Sequence, residues 1–203
     1  MKSKFFKIIA GVFILANLGM AEYVKKDNAV YYKYSEEDDS EFKVENVDLN
    51  TFKILNDKYA KDDKSVYFSG NKSFEDVDSK TFEVLPNYYS KDKNNVYRPI
   101  NEWIHKINGA NSKTIKVLNE FYSKDDKNVY AAVDIIKDAD PQTFRRIPET
   151  NYARDKNNLY YYFGDVKNLG KINEKDFKVL DSNLVKNGNE VYYLGEKANI
   201  KNP

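Results

Sequence analysis

Along residues 23–193, hydrophobic and polar positions recur in one fixed order. An aromatic residue is followed by a small one, a base, an acid, two polar positions, an amide or serine, a branched aliphatic and a tyrosine. Tyr59-Ala60-Lys61-Asp62-Asp63-Lys64-Ser65-Val66-Tyr67 and Tyr122-Ser123-Lys124-Asp125-Asp126-Lys127-Asn128-Val129-Tyr130 are two of the six copies. The copies begin at Tyr23, Tyr59, Tyr89, Tyr122, Tyr152 and Leu184, with spacings of 36, 30, 33, 30 and 32 residues. Periods in this range mark repeat architectures whose neighbouring units bury a shared core. Each copy reads as a β-hairpin: a short strand, a polar turn that Asp and Asn favour, and a returning strand. The last copy places Asn187-Gly188, a strong hairpin signal, at the turn.

A second pattern, Asp/Asn-x-x-Thr/Asp-Phe/Ile, spans 48–52, 78–82, 111–115, 140–144 and 173–177. Asp or Asn before an apolar segment suits an N-cap, and Pro141 directly after Asp140 suits a first helical turn. This predicts a helix of one or two turns in each unit. Phe52 with Leu55, Phe82 with Leu85 and Phe177 with Leu180 would share its buried face at i, i+3. The predicted fold class is therefore mainly β with short helices (α+β). It is a tandem array of hairpin-plus-short-helix repeats of about 30 residues, solenoid-like or closed, with five full units and a terminal hairpin that stops near Gly195.

Successive strand residues face opposite ways. The aliphatic slot (Val30, Val66, Val96, Val129, Leu159, Val191) and the tyrosine slot (Tyr31, Tyr67, Tyr97, Tyr130, Tyr160, Tyr192) are filled in every copy, so both strand faces are expected to pack. The next slot varies: Tyr32, Phe68, Arg98, Ala131, Tyr161, Tyr193. A varying slot is the expected partner surface, with Tyr32, Phe68, Arg98, Tyr161 and Tyr193 as its candidates. The third slot is basic throughout (Lys25, Lys61, Lys91, Lys124, Arg154, Lys186) and reads as a basic stripe that solubilises strand edges or meets an anionic polymer.

The N-terminus changes the picture of location. Lys2, Lys4 and Lys7 precede an apolar stretch over 8–20 that is too short to span a bilayer, and Gly19-Met20-Ala21 has a cleavage-site pattern. Residues 1–21 read as a secretory signal peptide and 22–203 as a single repeat domain. After cleavage no transmembrane anchor is expected, and the absence of cysteine excludes a lipid-attached form and a disulfide framework. The chain has 33 Lys and Arg against 32 Asp and Glu; beyond residue 21, 30 bases face 32 acids. So balanced a charge gives no field for nucleic acid.

Tyr89-Ser90-Lys91-Asp92-Lys93-Asn94-Asn95-Val96-Tyr97, the copy at 152–161 and Ala139-Asp140-Pro141-Gln142-Thr143-Phe144 together resemble the DKNYY repeat family of bacterial, mostly exported proteins. The resemblance extends over nearly all of 23–193, and it implies a secreted or envelope-located repeat protein with no catalytic residues to carry over. The first copy departs from it, with Lys26 for the Asp, as does the last, with Asn187.

Candidate chemistry is sparse. There is no Gly-rich phosphate loop and no zinc pattern, and no cofactor or metal site is expected. The single histidine, His105, lies in Trp103-Ile104-His105, within a stretch that reads as an insertion special to the third copy. Trp103 could serve as a sugar platform or cover that insertion. Asp62-Asp63 and Asp125-Asp126 occupy hairpin turns, and Glu36-Glu37-Asp38-Asp39 forms an acidic run; turn chemistry and a solvated loop account for them. Two functions follow as expectations. The first is a non-enzymatic exported scaffold or binding module of the envelope whose partner is an unknown protein or glycan. The second is a hydrolase with an atypical carboxylate site acting on an envelope glycan or peptide.

Overall fold

The computed structural model describes residues 22–34, 40–73 and 76–198. The expected signal segment and the run 36–39 lie outside the described residues. The described residues form six small antiparallel sheets in sequence order. The first has three strands, Glu22–Lys26, Ala29–Lys33 and Glu41–Lys43. Each of the other five has four strands in a simple meander. The second sheet, with Lys53–Ile54, Tyr59–Lys61, Val66–Phe68 and Asn71–Lys72, is representative.

The expected helices do not form. Each Asp/Asn-x-x-Thr-Phe segment makes a single turn: Thr51 N–H donates to Asp48 O at 3.2 Å, and Asn50 N–H to Asp48 Oδ1 at 3.1 Å. The Asp accepts as a capping residue would, but the residue after Phe52 already begins a strand, so there is no room for a second turn. Among the described residues the only helical segments are two 3-10 turns, Pro86–Tyr88 and Glu174–Asp176. The i, i+3 face disappears with the helix. Phe52 and Phe82 are buried, whereas Leu55 and Leu180 are exposed.

The repeat boundary also shifts. The strand that follows each Phe joins the sheet of the next hairpin, so the sixth sheet is complete: Phe177–Asp181, Leu184–Asn187, Glu190–Tyr193 and Glu196–Lys197. The three-stranded sheet is the first one. Likewise the strand Trp103–Lys106 is no insertion; it is the outer strand of the third sheet, a position that every sheet fills at its own length.

Register assigns each slot a face. Tyr59 pairs with Phe68 and Lys61 with Val66, while Ala60 pairs with Tyr67. The first, third, aliphatic and variable slots thus point toward the following sheet, and the small slot and returning tyrosine point toward the preceding one. The buried clusters obey this rule. Tyr23, Val30 and Tyr32 of the first sheet pack with Phe52, Ala60 and Tyr67 of the second. Tyr122, Val129 and Ala131 of the fourth pack with Phe144, Ala153 and Tyr160 of the fifth. Five clusters serve five junctions. Phe52 and Phe144 are each wedged between two tyrosines: Phe144 lies 5.4 Å from Tyr122 and 5.6 Å from Tyr160, centroid to centroid, in tilted or edge-on geometry. Small second-slot residues (Ala60, Ser90, Ser123, Ala153) let these rings approach.

Two glycines mark where a sheet meets the aromatic residue of its predecessor. A Cβ on Gly70, at φ +76°, would lie 2.7 Å from Tyr32 Cβ, and one on Gly195, at φ +74°, would lie 2.2 Å from Tyr161 Cδ1. Gly170, at φ +86°, has nothing within 4 Å of such an atom. Gly195→Ala should therefore cost several kcal/mol in urea unfolding through strain plus overpacking, against about 1 kcal/mol for Gly170→Ala, which meets only the backbone penalty. Equal losses would refute the close packing of sheet on sheet.

Candidate functional site

The chemistry of the chain concentrates at the repeated acid. Asp125 is buried in the hairpin turn of the fourth sheet. Its Oδ1 accepts Lys127 N–H and Asn128 N–H, both at 2.8 Å. Its Oδ2 accepts Asn111 N–H at 2.9 Å from the preceding turn and the Tyr130 hydroxyl at 2.8 Å. Asp62, Asp92 and Asp155 hold the same four donors at 2.6–3.0 Å. One carboxylate thus fixes its own turn, the returning tyrosine and the segment that leads into the sheet. Burial alone would raise these carboxyls, but the hydrogen bonds overcome it and hold all four below the usual aspartate range. The partner Tyr130 is pushed up to about 12, by burial first and then by the acid it donates to.

Where the acid is missing, the turn changes type. In the first copy Lys26 pairs with Ala29 across Asp27 and Asn28, both with positive φ, as a type I′ turn requires. In the last, Asn187 pairs with Glu190 across Gly188 and Asn189, so the turn lies one residue beyond the Asn-Gly that the sequence marks. Asn187 still accepts the incoming Asn173 N–H at 2.7 Å, while its amide donates to Lys171 O at 3.0 Å.

The basic slot is not a free stripe. The first five cations reach into the turn of the following sheet: Lys25 Nζ donates to Phe52 O at 2.9 Å, Lys61 Nζ to Ser79 O at 2.7 Å, and Lys91 Nζ to Ser112 O at 3.4 Å. Lys124 Nζ donates to Pro141 O at 2.8 Å and Phe144 O at 2.9 Å. Arg154 pairs instead with Glu174 in the same turn position of the sixth sheet. Lys186, in the last sheet, contacts Asp176 of its own sheet. The first-slot hydroxyls add a second tie. Tyr23, Tyr59, Tyr122 and Tyr152 donate to the carbonyls of Lys58, Tyr88, Asn151 and Asn183, each just ahead of the next copy.

The candidate partner surface is mostly interior. Tyr32, Phe68 and Tyr161 are buried in the junctions, because the variable slot shares the face of the first-slot tyrosine. Arg98 is half-buried, its guanidinium 5.9 Å from the Tyr89 ring. Tyr193 stands 54% exposed. Variation in this slot therefore reflects matching between neighbouring sheets, as with Tyr32 beneath Gly70. His105 lies opposite Arg98 in the outer strand of the third sheet, with the exposed Trp103 two positions away. Sequence periodicity missed the buried Val44, Ile107 and Ile136 that follow the outer strands, since the varying strand lengths hide their repetition.

Among the described residues no group of three His, Cys, Asp or Glu side chains is placed to hold a metal ion. No helix among them is long and apolar enough to cross a membrane. A cleft of about 260 Å³ opens between the outer strands of the fourth and fifth sheets, lined by Ile135, Lys137, Tyr162 and Val166 among others. A second, of about 240 Å³, lies beside Lys61, Asp62 and Asp63.

The DKNYY family model matches residues 23–164, and the chain belongs to that family. No curated protein and no solved structure matches the chain. The sixth sheet lies beyond the matched region, yet it keeps the strand order of the other four-stranded sheets.

The acid turns make stability depend on pH with a definite sign. A carboxyl depressed on folding contributes stability above its unfolded pKa, about 3.9, and that stability is lost as pH falls through the folded value. The urea midpoint should therefore hold between pH 7 and 5 and fall below about pH 4. Asp125→Asn should lower stability at pH 7 by about 1–3 kcal/mol and flatten the acid limb. An unchanged slope in that variant would contradict the role given to the carboxylate.

Proposed function

We propose that the chain is a non-enzymatic repeat module exported to the bacterial envelope, built as an open stack of sheets and serving to bind a protein or glycan partner. One observation carries this reading: the charged side chains that recur are consumed in joining one sheet to the next. The recurrent acids are saturated by four donors each and the recurrent bases grip turn carbonyls, so neither is poised for chemistry. Binding then falls to residues outside the repeated slots. The open stack is supported by hydrogen bonds between sheets that join consecutive ones. Export is supported by the basic, then apolar, then small-residue order of 1–21 and by the resemblance to mostly exported proteins.

A hydrolase is the competing reading, and it needs one acid set apart by its surroundings. The four turn acids share one environment, which weighs against it.

The test has two arms. Fractionation of the host with an antibody to the chain should find it outside the cytoplasm and shortened at its N-terminus. Incubation of the purified chain with cell-wall glycan and peptide substrates should give no turnover. A full-length cytoplasmic product would reject export. Turnover abolished by a single Asp or Glu substitution in a folded variant would reject the non-enzymatic reading.

A further inference from the structure

The rim of the first three sheets carries a cluster that the repeat does not require. Tyr34, at the end of the first sheet's returning strand, is 44% exposed, with its ring 5.5 Å from Tyr32 and 5.6 Å from Phe42. Tyr88 is 38% exposed and donates its hydroxyl to Asp57 Oδ2 at 3.0 Å. Its position is unusual: φ is +54° at Asn87 and +58° at Tyr88, a conformation that a bulky residue rarely adopts. In the second and fourth copies the side chain of Asn56 or Asn119 accepts the two N–H groups that open the strand. The third copy has Pro86 there, and the Tyr88 carbonyl is held by the Tyr59 hydroxyl at 2.7 Å. The strained segment turns the Tyr88 side chain outward to meet Asp57 of the preceding sheet. Lys58 Nζ lies 5.9 Å from the centroid of the Tyr32 ring. Glu102, in the outer turn of the third sheet, and Lys58 are both near enough to Tyr34 for their charges to act on its hydroxyl.

Two part-exposed rings therefore stand among two carboxylates and an ammonium, contributed by three consecutive sheets. We propose that Tyr34 and Tyr88, with Asp57, Lys58 and Glu102, form a saccharide-binding platform; this rests on the binding-module reading and names its ligand class. A pyranose ring has an apolar C–H face that can lie on an aromatic plane and a rim of hydroxyls that can donate to carboxylates and accept from an ammonium. A protein partner would anchor in a pocket shielded from water, whereas these rings sit between charges in the open. Such a platform grips weakly per sugar unit and gains from an extended glycan that spans several sheets.

The test is calorimetric titration of the whole chain with two probes, glycan strands released from cell-wall peptidoglycan and an unbranched glucan oligosaccharide. Fluorescence of Trp103, the one tryptophan and the neighbour of Glu102, is followed in parallel. Binding to at least one probe is expected, with at least a tenfold loss of affinity for Tyr34→Ala and for Tyr88→Ala. Tyr88→Phe, which keeps the ring and drops only the bond to Asp57, should lose less. Phe163→Ala, more exposed at 79% but on the fifth sheet, should leave affinity unchanged. All variants are first compared with the parent by thermal unfolding, and Tyr88→Phe carries the test if Tyr88→Ala does not fold. No heat with either saccharide overturns the platform, and so does an equal loss in Phe163→Ala. Capture of an envelope protein in place of saccharide overturns the platform while the binding-module reading stands; failure to bind any envelope component removes both.

Discussion

One buried carboxylate per hairpin organises this protein. An ionised aspartate inside a protein is costly unless its lone pairs are satisfied. Asp62, Asp92, Asp125 and Asp155 each meet that demand with three backbone N–H groups and one tyrosine hydroxyl. Satisfying the charge and fixing the geometry are the same event: the donors arrive only if the turn closes, the tyrosine swings back and the incoming segment docks. The acid is absent at the first hairpin, where Lys26 stands in its place, and becomes Asn187 at the sixth. There the backbone adopts turns that close without a side-chain acceptor.

From that anchor the rest of the stack follows. The incoming turn delivers a phenylalanine, or Ile115 in the fourth sheet, to the junction and presents carbonyls to the basic slot of the sheet before. Each core is shared by two sheets and belongs to neither alone, so a single sheet has no interior of its own. Loss of one turn should loosen the junction on its preceding side most. The third-to-fourth junction differs: the Tyr89 hydroxyl makes no tie of the kind its counterparts make and lies buried beside the Ser123 hydroxyl. Arg98 over the Tyr89 ring replaces an aromatic neighbour at the same place.

Much of this was legible in the sequence. Hairpins, turn acids, caps and packing on both faces of the returning strand follow from residue type and a period of two. What was not legible required knowing which sheet each residue serves. The turn at Asp48 looks like a helix start, since a capping bond is identical whether or not a second turn follows; only pairing of Lys53–Ile54 with the next hairpin excludes the helix. Variation at Tyr32, Phe68 and Tyr161 looks like freedom at a surface, yet it arises because each partner across the junction differs too. Lys61 and Lys124 look like a solvated stripe because their acceptors are backbone carbonyls, which carry no sequence signature. The rim cluster was invisible for a related reason: Tyr34, Asp57, Tyr88 and Glu102 are scattered along the chain and meet only when three sheets stack.

The central claim, that the turn acids hold the incoming segments, is tested most directly by residue-resolved amide hydrogen exchange at neutral pH. The N–H groups of Asp48, Asp78, Asn111 and Asp140, which donate to the four carboxylates, should exchange as slowly as strand amides despite lying in turns at the protein surface. The nearby Asn50 and Lys80 N–H groups, bonded only within their own exposed turns, should exchange much faster. Fast exchange at all of these positions alike would contradict the account.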